Sequence, residues 1–249
     1  MATITGSFDV QFIEAIAYAL NREVVLPDNY YNVMTPIQRQ QAVSIAGLAQ
    51  TEQIKHVMAQ VNQQLIDGGT FADFQKAVKA GDIDINLPKH RLDNIFRTNV
   101  QGAYGRGRYY QQQQNKVERP YLMRDGINDN RQRPEHKALD GLIRPIDDPI
   151  WQTCSAPSGY RCRCIQRSLT KSQAEAKGIT TDDDIPDAPN DKGWVGGTPA
   201  QYNSNMNKLV NDKMAELAIT YYKQSGAILA ARERIEAAIT GMLAQPIPD

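Results

Sequence analysis

The residues with the most chemical capacity crowd into one stretch of the chain. Cys162 and Cys164 are separated by a single arginine, Arg163, and His136 and Cys154 precede them. Two side chains spaced by one residue along an extended strand point to the same face. Thiolates and an imidazole are the donors that zinc prefers, so His136, Cys162, Cys164 and Cys154 are the candidate metal ligands. The single intervening residue is shorter than the gap of about two to four usual between paired cysteines of structural zinc sites. Packing of two small side chains beside a turn is therefore the commoner outcome for this spacing.

His136 also lies near Asp125, Asp129 and Asp140 in sequence. Carboxylates with an imidazole can hold a divalent ion and activate water, which makes a metal-dependent nuclease or hydrolase centred on His136 and Asp140, with Asp125, the alternative reading. The same residue types build turns, where Asp and Asn accept hydrogen bonds from nearby amides. Gly-x-Ser-x-Gly, phosphate-cradling glycine loops and His-Glu-x-x-His are all absent from the sequence, so no other nucleophile or metal motif competes. Arg97, Arg106 and Arg108, and further on Arg161, Arg163 and Arg167, form two basic clusters that could meet DNA phosphates or acidic protein surfaces. Trp194 stands among glycines and is an interface candidate, whereas Trp151 reads as a plug for a small core.

The elements that must position these residues are mainly helical. Apolar residues recur at helical spacing from Phe8 to Leu20 with Ser7 as N-cap, from Thr35-Pro36 to Leu48, and from Thr51 as cap through Ile54, Met58, Val61 and Leu65 to Gly68-Gly69. Thr70 caps a short helix ending at Ala80-Gly81, and a long helix follows from about Lys89 to Asn115. Gly102, Gly105 and Gly107 weaken that helix by about 1 kcal/mol each relative to alanine, so close packing must compensate. After Pro120, Tyr121–Arg124 reads as a strand and Cys162–Arg167 as a second strand able to pair with it. Residues 180–199, rich in Asp, Pro and Gly, read as a loop or an extended arm, and Asn205–Leu243 returns to helical periodicity.

The expected fold class is α+β and predominantly helical. It comprises an N-terminal helical region (1–118), a small antiparallel β module (119–168), an extended arm or linker (169–204) and a C-terminal helical segment (205–249). The formal net charge is zero over 249 residues, which removes long-range attraction to nucleic acid as a driving force. The N-terminus has neither a basic nor an apolar leader region, and no run is long and apolar enough to span a bilayer, so a cytoplasmic, membrane-free protein is expected. Three cysteines in a reducing compartment do not suggest a disulfide framework.

In order and spacing these motifs resemble the Mu F-like phage head morphogenesis (minor capsid) proteins. The resemblance runs over about residues 14–200. It begins with Ala15-Ile16-Ala17-Tyr18 and Leu26-Pro27, then takes in Arg97-Thr98-Asn99, Ala103-Tyr104 and Gly107-Arg108. It continues through Arg133-Pro134-x-His136-x-Ala138-Leu139-x-Gly141, Asp147-Asp148-Pro149-x-Trp151, Pro157-x-Gly159-Tyr160-x-Cys162-Arg163-Cys164 and Gly193-Trp194. Arg133, Pro134, His136, Asp140, Gly141, Asp148, Trp151, Gly159, Cys162, Arg163 and Cys164 are accordingly expected to hold a turn-rich fold in shape. The resemblance implies a structural virion protein without established catalysis, made in the host cytoplasm. It would bind portal, major capsid or scaffold protein during head assembly and accompany phage DNA; a DNA-binding virion protein is the further alternative. In a related branch a Cys-x-x-Cys pair precedes Cys-Arg-Cys in what looks like a zinc site. Arg133 and His136 stand at the matching positions here, one ligand fewer, so no cofactor is expected and zinc is the one candidate.

Overall fold

The computed structural model describes residues 12–188, 190–194, 211, 212 and 215. The Ser7 cap and most of the C-terminal helical segment lie outside them. Two compact units divide the chain, Met1–Asn203 and Ser204–Asp249, and everything below concerns the first.

The first unit opens with helix α1 (Ile13–Leu20), which buries Ala15, Ile16, Ala17 and Ala19. Strand β1 (Glu23–Val24) pairs in parallel with β2 (Ala42–Val43), and between them lie a π-helical turn, Asn29–Val33, and α2 (Pro36–Gln40). The second expected helix is thus corrected. It stops after one turn, and Val43, Ile45 and Leu48 reach the core from a strand and a loop. Apolar spacing of two or three residues fits either geometry, and pairing with β1 decided it.

Helix α3 (Thr51–Asp67) begins after Gln50 rather than Thr51, and ends at Gly68 with φ +68°, the left-handed conformation that glycine adopts without a Cβ clash. Helix α4 (Phe71–Ala80) has the expected cap: Thr70 Oγ1 accepts from the Asp73 amide while the Asp73 carboxylate accepts from Thr70 N. These helices and the long α5 (Lys89–Gln114) enclose one core, in which Phe74 and Phe96 stack at 5.2 Å beside Ile54, Val57, Val61, Leu92 and Ile95.

Helix α5 also carries the chain to a second, smaller core. Strands β3 (Tyr121–Asp125), β4 (Ile143–Pro145) and β5 (Ile165–Leu169) form an antiparallel sheet in the order β4-β3-β5. One face of β3 presents Leu122 to a cluster with Leu139, Leu142, Ile146, Trp151 and Cys154. Met123, on the opposite face, packs with Ile143, Leu169 and Ala174 of α8 (Lys171–Lys177). Two short helices, α6 (Pro134–Ala138) and α7 (Trp151–Cys154), complete the module. The whole is α+β and mainly helical.

The described part of the expected arm or linker, residues 169–188 and 190–194, packs on the module. It begins with α8, after which the Thr180 amide donates to Ile143 O and Thr180 Oγ1 accepts from the Ile143 amide, and Ala188 joins the Trp151 cluster. The Asn190 amide donates to Thr153 O, and the Trp194 indole to Pro157 O at 2.7 Å. Buried apolar residues and β4's free edge turn a polar-looking segment into a strap.

The α5 glycines are explained by what surrounds them. A Cβ at Gly107 would lie 2.6 Å from the Ala15 backbone nitrogen, and one at Gly105 would overlap the Pro157 ring. Gly102 faces open space. Gly107→Ala should therefore destabilise the fold by about 1–3 kcal/mol through overpacking against α1, while Gly102→Ala should stabilise it by up to about 1 kcal/mol. Urea unfolding of both variants checks this; equal effects would refute the packing account.

Candidate metal centre

The centre begins with β3. Leu122 and Arg124 are two apart on a strand and share its inward face, so Arg124 enters the module interior with 0% exposure. A buried guanidinium must find acceptors. It donates to Cys154 O at 2.6 Å and to Ser158 Oγ, which holds residues 154–158 over the sheet. The loop is further tied by Gln166, whose Oε1 accepts from the Ala156 amide at 3.1 Å. It then docks on α5, where Arg161 pairs with Asp93 at 2.6 Å and its amide donates to Thr98 Oγ1. Arg161 has φ +59°, a conformation that β-carbon-bearing residues rarely adopt, immediately before Cys162.

Cys162 and Cys164 are both buried, while Arg163 between them turns outward and binds both Asp129 carboxylate oxygens at 2.7 Å. The two thiols therefore share one face as expected, although the strand starts only at Ile165. Helix α6, started by Pro134, brings His136 to the same place with 3% exposure. One ligand atom from each of His136, Cys162 and Cys164 lies within 4.8 Å of the others. No other such group of metal-ligating residues occurs among the described residues. The three donors are of the type zinc takes. His136 Nε2 is buried and makes no hydrogen bond, although the Asp191 Oδ1 atom stands 3.4 Å away.

The electrostatics around the thiols are uneven. The hydrogen bond from Cys164, together with those from His136 and the Ser158 backbone and the nearby Arg124 charge, pushes Cys162 well below the usual thiol range, against the effect of burial. Cys164 moves the other way, through that same hydrogen bond and burial. The pair thus favours one thiolate, at Cys162, before any metal adds its own charge.

Asp191 is the functional residue that the sequence reading missed. It contacts His136 and, at 3.3 Å, Arg133, while its amide donates to Ser158 O and a Cβ on Gly159 would run into its carboxylate. Arg133 also donates to Tyr160 O at 2.8 Å. The only sequence cue was the neighbourhood of Gly193-Trp194; nothing local links residue 191 to residue 136.

Other expected site residues take supporting positions. Asp140 accepts from Gly126 N and Asn128 Nδ2, both at 2.6 Å, and closes the turn after β3. Gly141 has φ +81° and donates to Arg124 O. Asp148 accepts from Arg144 Nε and from the Ile150 amide, and the Trp151 indole donates to Pro145 O.

Several expectations are corrected. Cys154 does not join the centre: it is buried among Leu122, Leu139 and Trp151, with its sulfur 3.9 Å from Ala188 O. Asp125 is held by Arg167 and Asp140 by its turn, so the carboxylates of the hydrolase reading do not converge on His136. Arg106 is only 5% exposed and sits over the Tyr18 ring, where an external phosphate cannot reach it. Arg97 is exposed but paired with Asp93, and Arg108 is half-buried near Arg167 and Asp125. Trp194 is covered in part by Tyr160, at 5.2 Å edge to face.

Arg124→Met should destabilise the chain by about 3 kcal/mol, because the methionine leaves Cys154 O and Ser158 Oγ buried without their charged donor. Chemical unfolding measures it; a change below about 0.5 kcal/mol would remove Arg124 from its organising role.

The geometry can be set beside known proteins. Residues 55–167, which include α3 to α5 and the module as far as β5, match the family described as Phage Mu protein F like protein. A protein named Mu-like prophage FluMu F protein, from Haemophilus influenzae, is 38% identical over 104 residues, which is 42% of this chain and 25% of that relative. Putative capsid assembly protein F of Escherichia phage Mu is 26% identical over 186 residues, 67% of this chain and 42% of the relative. The chain thus spans less than half the length of these relatives. No solved structure matches it. The segment similar to the Phage Mu protein F like family thus holds much of the helical core and the whole His136–Cys162–Cys164 group.

Proposed function

We propose that this chain works in the assembly of a phage head, as a minor capsid protein that binds portal, major capsid or scaffold protein and resides in the virion. The observation that carries the reading is the family match over residues 55–167, together with similarity to a relative named as a capsid assembly protein. The site geometry supports a binding role over the hydrolase alternative, because the aspartates near His136 in sequence are engaged elsewhere in hydrogen bonds and ion pairs. A DNA-contact role draws less support: Arg97, Arg161, Arg163 and Arg167 are each paired with an aspartate. No helix among the described residues is long and apolar enough to cross a membrane.

Within this reading we propose that His136, Cys162 and Cys164 hold a zinc ion as a structural tie. The convergence of the His136 ring with the two buried, free thiols of Cys162 and Cys164 supports it. When bound, zinc would supply a Lewis-acidic cross-link between α6 and the loop before β5. Asp191, itself paired with Arg133, orients the histidine side of that link, and Ala156 packs against the two thiols.

Two measurements test these proposals separately. Affinity-tagged full-length chain, expressed during phage growth, should co-purify with portal, capsid or scaffold protein and be found in purified heads; absence from heads with no head protein retained would overturn the assembly role. Elemental analysis of reduced protein should find about one zinc per chain, lost in Cys162→Ser and His136→Ala but kept in Cys154→Ser. Equal metal content in all four proteins would overturn the zinc tie and leave the assembly role standing.

A further inference from the structure

A cleft of about 130 Å³ lies between the N-terminal segment and α5, away from the thiol centre. Arg22, Arg39 and Arg91 line it, and no carboxylate does so among the described residues. Arg22 is the recessed cation. Its Nη1 donates to Asn99 Oδ1 at 2.8 Å and its guanidinium lies 5.4 Å from the Tyr18 ring centre, while Nε and Nη2 are buried and have no hydrogen-bond partner. Ser44 Oγ, on the same lining, is also buried and unpartnered. Buried donors without acceptors are rare in folded proteins, and a guanidinium so placed calls for an anion.

The size and the rim narrow the choice of anion. The volume is below the roughly 300 Å³ at which pockets for metabolites begin, and it suits one side chain. Tyr31 (41% exposed), Tyr160 (39% exposed) and Trp194 surround it. Tyrosine, tryptophan and arginine are the residues that dominate protein interface energetics. A nucleic-acid strand would need a continuing track of unpaired cations, whereas the chain has zero net charge and its neighbouring arginines, such as Arg97 and Arg161, are paired with Asp93.

We infer that this cleft is a docking site for a partner protein segment that inserts an aspartate or glutamate side chain among Arg22, Arg39 and Arg91, with apolar neighbours packing on Tyr31, Tyr160 and Trp194. The inference rests on the assembly reading only in taking the partner to be a protein. Backbone carbonyls on either side of α2 and β2 hold two of the cations in place: Arg91 donates to Ala46 O at 2.7 Å, and Arg39 to Met34 O at 3.1 Å. The site is thus preorganised, and a bound carboxylate would not have to order it.

Fluorescence anisotropy on the full chain tests this with three probes: a short labelled peptide alternating Asp with Leu, its Asn-for-Asp counterpart, and a labelled oligothymidine. The Asp peptide should bind, and binding should weaken about tenfold or more with the Asn peptide, in Arg22→Met and in Arg39→Met. Arg97→Met, which removes an exposed cation of α5, should leave it unchanged; circular dichroism confirms that each variant is folded. Absence of Asp-peptide binding, equal affinity for the Asn peptide, or undiminished binding by both cleft variants would overturn the inference. So would oligothymidine binding that the cleft variants abolish while the peptide is ignored. If the peptide fails while head proteins still co-purify, only the cleft is refuted; if the peptide binds and no head protein co-purifies, only the assembly role is.

Discussion

Arg124 has to place a full positive charge in the interior of a three-stranded sheet module, and much of that module is arranged around satisfying it. Such a sheet gains independent stability only when a face is covered. Here the cover is the short helix α7 and the loop that follows it. Cys154 O and Ser158 Oγ accept from the guanidinium, which fixes the loop's entry, and Arg161 pairing with Asp93 fixes its exit on α5. Cys162 and Cys164 follow within three residues of that exit and so arrive at His136. The centre is a consequence of satisfying the buried cation as much as of its own donors.

Helix α5 is the second constraint, because one element serves both cores. Its first turns bury Leu92, Ile95 and Phe96 in the helical core, its glycines let α1 and Pro157 approach, and Gln112 donates to Gln166 O on β5. The strap then joins the two sites. Asp191 contacts His136 and Arg133, and Trp194, three residues on, lines the arginine cleft together with Tyr160. A change at the thiol centre has a short covalent path to one wall of the cleft.

The boundaries of the family match fall across this architecture. Residues 55–167 carry α3 to α5, the sheet through most of β5 and all three candidate metal donors. Arg22, Arg39 and the strap residues Asp191 and Trp194 lie outside it. The cleft is therefore built partly on the matched segment, through Arg91 and Asn99, and partly on flanking segments that also supply Val43, Ile45 and Leu48 to one core and Ala188 to the other.

Much of the local structure was legible from residue order alone, since it depends on groups within a few positions of one another. The Thr70 capping box, the Gly68 terminus, the full length of α5 and the alternation along β3 all follow from backbone hydrogen-bond needs and side-chain periodicity. The same periodicity misread residues 42–48, where a buried loop and a helix share apolar spacing, and it read the strap as an arm because its polar composition hid the edge of β4 that it pairs with. The candidate site divides in the same way. That Cys162 and Cys164 share a face was a local property. That His136 meets them, that Cys154 does not, and that Asp191 stands beside His136 required contacts over 26, 30 and 55 residues of intervening order, set by burial of Arg124 and Trp151. Residue order specified most of the elements and all of the donors; only tertiary closure decided which donors face one another, because burial and charge satisfaction act between segments that no local spacing relates.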